Sequence, residues 1–201
     1  MKKTERLFNT FFGLSLVYWG VAGLFENSNI YDTPYIRFFI TLLNILVGFL
    51  IIFREPILKK TSLNSILISL PSLICGGLLF KLSNPLLLWN TYTEILFIFG
   101  GMFTLTSFLF LGKSFAIFPG TRTIVSNGLF RLIRHPAYLG ESMMMTSCLL
   151  EAENIISLIP FVIFTPGLII RIREEERILS KNIIYNRYKE QVRWRLIPYL
   201  W

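Results

Sequence analysis

The sequence predicts an all-α, polytopic membrane helix bundle of five or six transmembrane helices, finished by a C-terminal interfacial amphipathic helix. Three observations carry that prediction. First, 53% of the 201 residues are hydrophobic and only 16% are charged, and the mean hydropathy of +0.58 lies beyond what a soluble domain of this length sustains. Second, apolar runs recur at the length of a bilayer crossing, about 20 helical residues for a hydrocarbon core about 30 Å thick. Third, the basic residues gather on alternate connections, as they do when short loops sort to the cytoplasmic side.

Taken in order, the apolar runs fall at residues 7–25, 35–53, 64–82, 93–112, 137–150 and 155–171. The first follows Lys2 and Lys3 like a signal peptide, but it is long and has no small-residue cleavage site, so it reads as an uncleaved span. The last two runs are short, are joined by Glu151-Ala152-Glu153-Asn154, and read as a tight hairpin. Neighbouring helices there would tolerate Pro160, Pro166 and Gly167. Asn84-Pro85 and Pro119-Gly120 punctuate loops.

Six spans place eighteen of the 20 Lys and Arg residues on one side, leaving Arg37 and Lys81 on the other with Glu26, Asp32, Glu94, Glu151 and Glu153. Both termini are therefore expected in the cytoplasm, with the protein in a bacterial inner membrane. After the last span, Ile178, Tyr185, Tyr188 and Val192 share one helical stripe, the mark of a helix lying along the interface and capping the bundle. The +8 charge is spent at span ends and not on a nucleic-acid surface, so no nucleic-acid partner is expected. Cys75 and Cys148 lie far apart inside apolar runs and read as small hydrophobes. Met143 to Met145 read as core packing.

Two polar clusters meet on the cytoplasmic face under this topology. The stretch Asn127-Gly128-Leu129-Phe130-Arg131-Leu132-Ile133-Arg134-His135-Pro136 holds a turn at Asn127-Gly128 and a helix start at His135-Pro136. A helix N-terminus flanked by Arg131 and Arg134 favours a carboxylate or phosphate. The second cluster, Arg171, Arg173, Glu174, Glu175, Glu176 and Arg177, supplies carboxylates that suit ribose hydroxyls or a cation; each cluster alone also fits a solvated or lipid-facing surface. Tyr138, Tyr185, Tyr188 and Trp194 add rings able to stack on an adenine or shield a cation.

These residues resemble the integral membrane methyltransferases that include isoprenylcysteine carboxyl methyltransferase and phospholipid N-methyltransferase. The resemblance covers about residues 95–198: Gly128 to Gly140 with Arg134-His135-Pro136-x-Tyr138-x-Gly140, then Glu175-Glu176-x-x-Leu179, Tyr185-x-x-Tyr188, Val192 and Arg195-Leu196-Ile197-Pro198. Leu105 to Phe115, with Gly100 and Gly101 before it, also looks like the preceding span of the lipid N-methyltransferases. Two departures leave the register of the tail open. Ile183-Ile184 replaces the family's Phe-Gly, and one extra residue separates Val192 from the terminal Arg-x-x-Pro.

The resemblance implies an S-adenosylmethionine-dependent methyltransferase acting on a lipid-like or hydrophobic acceptor at the cytoplasmic face, with no metal. Residues 1–92 would be N-terminal membrane helices and 93–201 the methyltransferase core. It further implies a cofactor site of Arg134, His135, Tyr138, Gly140, Glu175, Glu176 and Tyr185. In catalysis, Arg173 is expected to orient an anionic acceptor, and Glu176 or Glu141 to take a proton from an amine. The related membrane sterol reductases, which use NADPH, carry a similar His-Pro-x-Tyr-x-Gly. A reductase or a non-catalytic membrane protein therefore stands as the alternative.

Overall fold

The computed structural model describes residues 3–25, 34–54, 63–83, 88–117 and 123–201. Asn84-Pro85, Pro119-Gly120, and the charges of Lys2, Glu26, Asp32, Lys59, Lys60 and Arg122 lie outside them. The described chain is an all-α membrane bundle of seven α-helices: α1 (Lys3–Phe25), α2 (Pro34–Phe53), α3 (Leu63–Leu82), α4 (Thr91–Leu111), α5 (Pro136–Leu150), α6 (Leu158–Leu179) and α7 (Ile183–Gln191).

Among the described residues, four helical stretches are long and apolar enough to cross a membrane: Tyr35–Phe53, Leu63–Leu82, Thr91–Ser114 and Ile155–Leu179. The sixth apolar run thus belongs to a longer helix, because α6 continues past residue 171 to carry its charges out of the apolar layer. By contrast, α5 has 15 residues, about 22 Å of rise, which is short of the hydrocarbon core. Large apolar side chains cover the outside of the bundle, among them Phe11, Trp19, Phe53 and Ile95. That surface is costly in water and expected in lipid.

The helices pack in pairs, α1 on α2, α4 on α5 and α3 on α6. The two short final runs therefore do not form an isolated hairpin; each finds its main partner earlier in the chain. Small residues make the close approaches. A side chain on Gly13 would meet the Gly48 carbonyl at 2.6 Å, and one on Gly48 would meet the Gly13 carbonyl at 2.6 Å. On the other pair, a Cβ added to Gly140 would collide with the Gly100 carbonyl and the Thr104 side chain. Without a hydrophobic drive between helices in lipid, such backbone contacts supply much of the association. Gly140→Val is accordingly expected to part α4 from α5 and cost about 3 kcal/mol, seen as a lowered thermal midpoint in detergent, with Gly23→Val, which meets nothing within 4 Å, as control.

Where the helices converge, Ile36, Leu79, Trp89, Phe97, Met144, Met145, Cys148, Phe164, Leu168 and Ile172 form one buried cluster. Trp89 meets Phe97 edge-on at 5.5 Å. Both cysteines are free and buried. At the far end from the polar clusters, Glu151 accepts from the Asn90 backbone N–H at 2.8 Å and from the Thr93 hydroxyl, closing the start of α4 onto the end of α5.

Candidate functional site

The site is assembled from the start of α5, the end of α6 and the tail. Gly128 opens it. Its φ of +58° is left-handed, and the ring of Phe110 packs so close that any side chain there would collide with it. The following 3-10 turn, Gly128–Arg131, delivers Arg134 and His135 to the α5 N-terminus, with Pro136 in the first turn.

Backbone bonds then tie this segment to the tail. The Arg134 N–H donates to the Trp194 carbonyl and the His135 N–H to the Arg195 carbonyl, each at 2.9 Å. This pairing settles the tail register, and it brings in Arg195, whose side chain the sequence could not place. The Arg195 Nε donates to Glu176 Oε2 at 2.9 Å, and the guanidinium lies over the Trp201 ring at 5.2 Å. Arg193 is exposed.

Glu176 is buried at the centre of this knot. Arg134 Nε lies 3.0 Å from Glu176 Oε1, and His135 Nε2 lies 3.2 Å from the same oxygen. Its neighbour Glu175 points elsewhere. The Tyr138 hydroxyl donates to Glu175 Oε2 at 2.7 Å, and His135 Nδ1 is 3.9 Å from that oxygen. The His135 and Tyr138 rings stack at 5.5 Å. Two adjacent carboxylates on a helix point about 100° apart, so one ties the fold while the other faces the cavity.

That cavity measures about 460 Å³, within the size range of small-molecule sites. Its lining divides by element. The polar part includes Arg134, His135, Tyr138, Glu141, Arg171, Glu175, Tyr185 and Tyr188; the apolar part includes Phe12 and Leu16 of α1, Leu43 and Val47 of α2, Leu73 of α3 and Phe108 of α4. Of the residues expected in the site, Arg134, His135, Tyr138, Glu141, Glu175 and Tyr185 line it together. Gly140 packs in the α4–α5 seam, Glu176 sits in the ion-pair knot, and Arg173 is exposed; none of these three is among the lining residues.

Arg171, named in the second cluster but given no role of its own there, is also a cavity residue. It is 5% exposed. Its Nη2 donates to the Ile117 carbonyl at 2.9 Å, its Nη1 is 3.5 Å from Glu141 Oε2, and its guanidinium lies 4.8 Å from the centre of the Tyr138 ring. Among the described residues its Nε and Nη1 have no hydrogen-bond partner, and neither has the Tyr185 hydroxyl. Buried donors left open are costly unless something binds them. Burial, with the charge of Glu176 nearby, raises the Tyr185 hydroxyl far above the usual tyrosine range, so it stays protonated and able to donate. Burial likewise raises Tyr188, whose hydroxyl donates to the Phe130 carbonyl at 2.7 Å.

On the tail, α7 begins at Asn182, which caps it by accepting from the Ile184 N–H at 2.9 Å. The predicted stripe turns inward: Tyr185, Tyr188 and Val192 are buried against Phe130, with Leu179 beside them, while Ile183 and Ile184 are exposed. Among the described residues no three His, Cys, Asp or Glu side chains are grouped to hold a metal. Comparison with curated proteins and with solved structures gives no match. The model of the isoprenylcysteine carboxyl methyltransferase (ICMT) family, however, matches residues 92–181, a little under half of the chain. The matched segment builds α4 but for its first residue, α5 and α6, and with them most of the polar half of the cavity.

Proposed function

We propose that the protein transfers a methyl group from S-adenosylmethionine to a lipid-like acceptor at the cytoplasmic membrane face. One observation carries this: a single cavity has a polar half with open donors and carboxylates, continuous with an apolar half walled by membrane helices. A charged nucleoside fits the first half and an apolar chain the second. Arg134, His135, Tyr138, Glu175 and Tyr185 are the side chains that would hold the cofactor. When bound, it supplies an electrophilic methyl on a sulfonium.

What remains for the protein is to position two reactants and exclude water. Arg171 takes the orienting role first expected of Arg173, because its open N–H groups lie in the cavity wall and Arg173 does not. For an amine acceptor, the released proton passes to Glu141, the other carboxylate of the wall. A carboxylate acceptor needs no base.

The test is calorimetric titration of the detergent-solubilised chain with S-adenosylhomocysteine, beside NADPH. Micromolar binding of the first alone is expected, and binding of NADPH alone would move the protein to the reductases. Glu175→Gln is expected to weaken S-adenosylhomocysteine about tenfold, since one hydrogen bond to a charged group is worth about 1.5–3 kcal/mol. Unchanged affinity in that variant would remove Glu175 from the cofactor site.

A further inference from the structure

The apolar half of the cavity has one feature that a hydrocarbon chain does not need. Asn44 lines it beside Leu43 and Val47. It lies in the middle of α2, nine residues before Phe53, about 14 Å along the helix from that end. This is deep in the apolar layer, where a polar side chain is normally bonded to a neighbouring helix.

Among the described residues Asn44 has no such bond. Its Cβ lies where a side chain on Gly20 of α1 would approach to 3.0 Å, so Gly20 gives it room at the α1–α2 seam. The Gly20 carbonyl at that seam accepts from the Thr41 hydroxyl at 3.0 Å. Across the cavity, Thr104 donates to the Gly100 carbonyl of its own helix at 3.0 Å. The half-buried Asn44 lines the cavity, and its amide has no hydrogen bond among the described residues. An amide left open in a membrane interior is costly, and a bound group that accepts its hydrogen bond offsets the cost.

We infer that Asn44 selects the acceptor: the methylated molecule carries a hydrogen-bonding oxygen, of the ether, carbonyl or hydroxyl kind, within its apolar body, and is not a bare hydrocarbon chain. The inference rests on the methyltransferase reading for calling that molecule an acceptor. It also divides the labour of the fold. The ICMT-family segment, residues 92–181, supplies Arg134 to Arg171, whereas α2, outside it, reads the lipid body.

Binding to the full chain in detergent tests this with two probes, hexadecylthioacetic acid and the same molecule with one mid-chain methylene replaced by an ether oxygen. Each is titrated against the wild type, Asn44→Leu and Asn44→Thr, with S-adenosylhomocysteine titrated in the same samples. The ratio of the two probe affinities, compared between wild type and Asn44→Leu, cancels the probes' different partition into micelles. Wild type is expected to favour the ether probe over its all-carbon twin by about fivefold to tenfold more than Asn44→Leu does. Asn44→Thr, which keeps a hydroxyl donor, should retain part of that preference. Equal ratios in wild type and Asn44→Leu would overturn the role of Asn44, even with S-adenosylhomocysteine bound normally. Failure of wild type to bind S-adenosylhomocysteine would overturn the cofactor reading, and with it the naming of the bound chain as an acceptor, whatever the probe ratio.

Discussion

Replacing Glu176 by alanine is expected to destabilise the protein by about 3–5 kcal/mol, because it leaves Arg134, His135 and Arg195 gathered around a missing charge. Both flanking cations lose their counter-ion, and Arg134 and His135 are themselves buried. For a chain of this length that amounts to a fall of about 10 °C in thermal midpoint, measurable by fluorescence-detected unfolding in detergent. Glu176→Gln keeps the shape and loses the charge, so it should fall between wild type and Glu176→Ala. A midpoint within 2 °C or so of wild type for Glu176→Ala would show that the knot contributes little to holding the tail.

The second large effect concerns catalysis. Arg171→Met is expected to lower the methyl-transfer rate by about 100-fold, the scale of about 2.7 kcal/mol lost from the transition state. The same change strands Glu141 in the cavity wall without its 3.5 Å partner, so folding suffers too. Arg171→Met/Glu141→Gln separates the two effects. With a carboxylate acceptor, which needs no base, it should regain thermal stability without regaining turnover. Arg171→Lys should recover little, because one ammonium cannot reach the Ile117 carbonyl, pair with Glu141 and cover the Tyr138 ring together. Full recovery of turnover in the double variant would show that Arg171 only neutralises Glu141.

Helical period separates residues 171–176 into faces without saying which face looks inward. Arg171 and Glu175 are four apart and share a face, and they do share the cavity wall. Arg173 is about 200° around the helix from Arg171, on the outward face, where it is exposed. The sequence reading named Arg171 and Glu175 in one cluster that also fits a solvated surface, since nothing in the chain says which face of a charged helix end looks inward. The helices themselves were legible because runs of 20 apolar residues admit few other structures. Their partners were not: α5 packs on α4 and α6 on α3 through glycines whose role depends on what lies opposite. Arg195 was hidden for another reason. Its position depends on two backbone hydrogen bonds from residues 134 and 135 to the tail, and an extra residue after Val192 shifts any register counted along the chain.

Those two bonds also order events in time. Arg134 and His135 enter the membrane face with α5, but their backbone and Glu176 partners are complete only when Trp194 and Arg195 arrive. During synthesis on a ribosome, the start of α5 is therefore made about 60 residues ahead of the carbonyls that brace it. A chain stopped before residue 194 lacks both carbonyls and leaves Glu176 without Arg195. A copy without those residues thus lacks the brace on the start of α5, the element from which His135, Tyr138 and Glu141 reach the cavity.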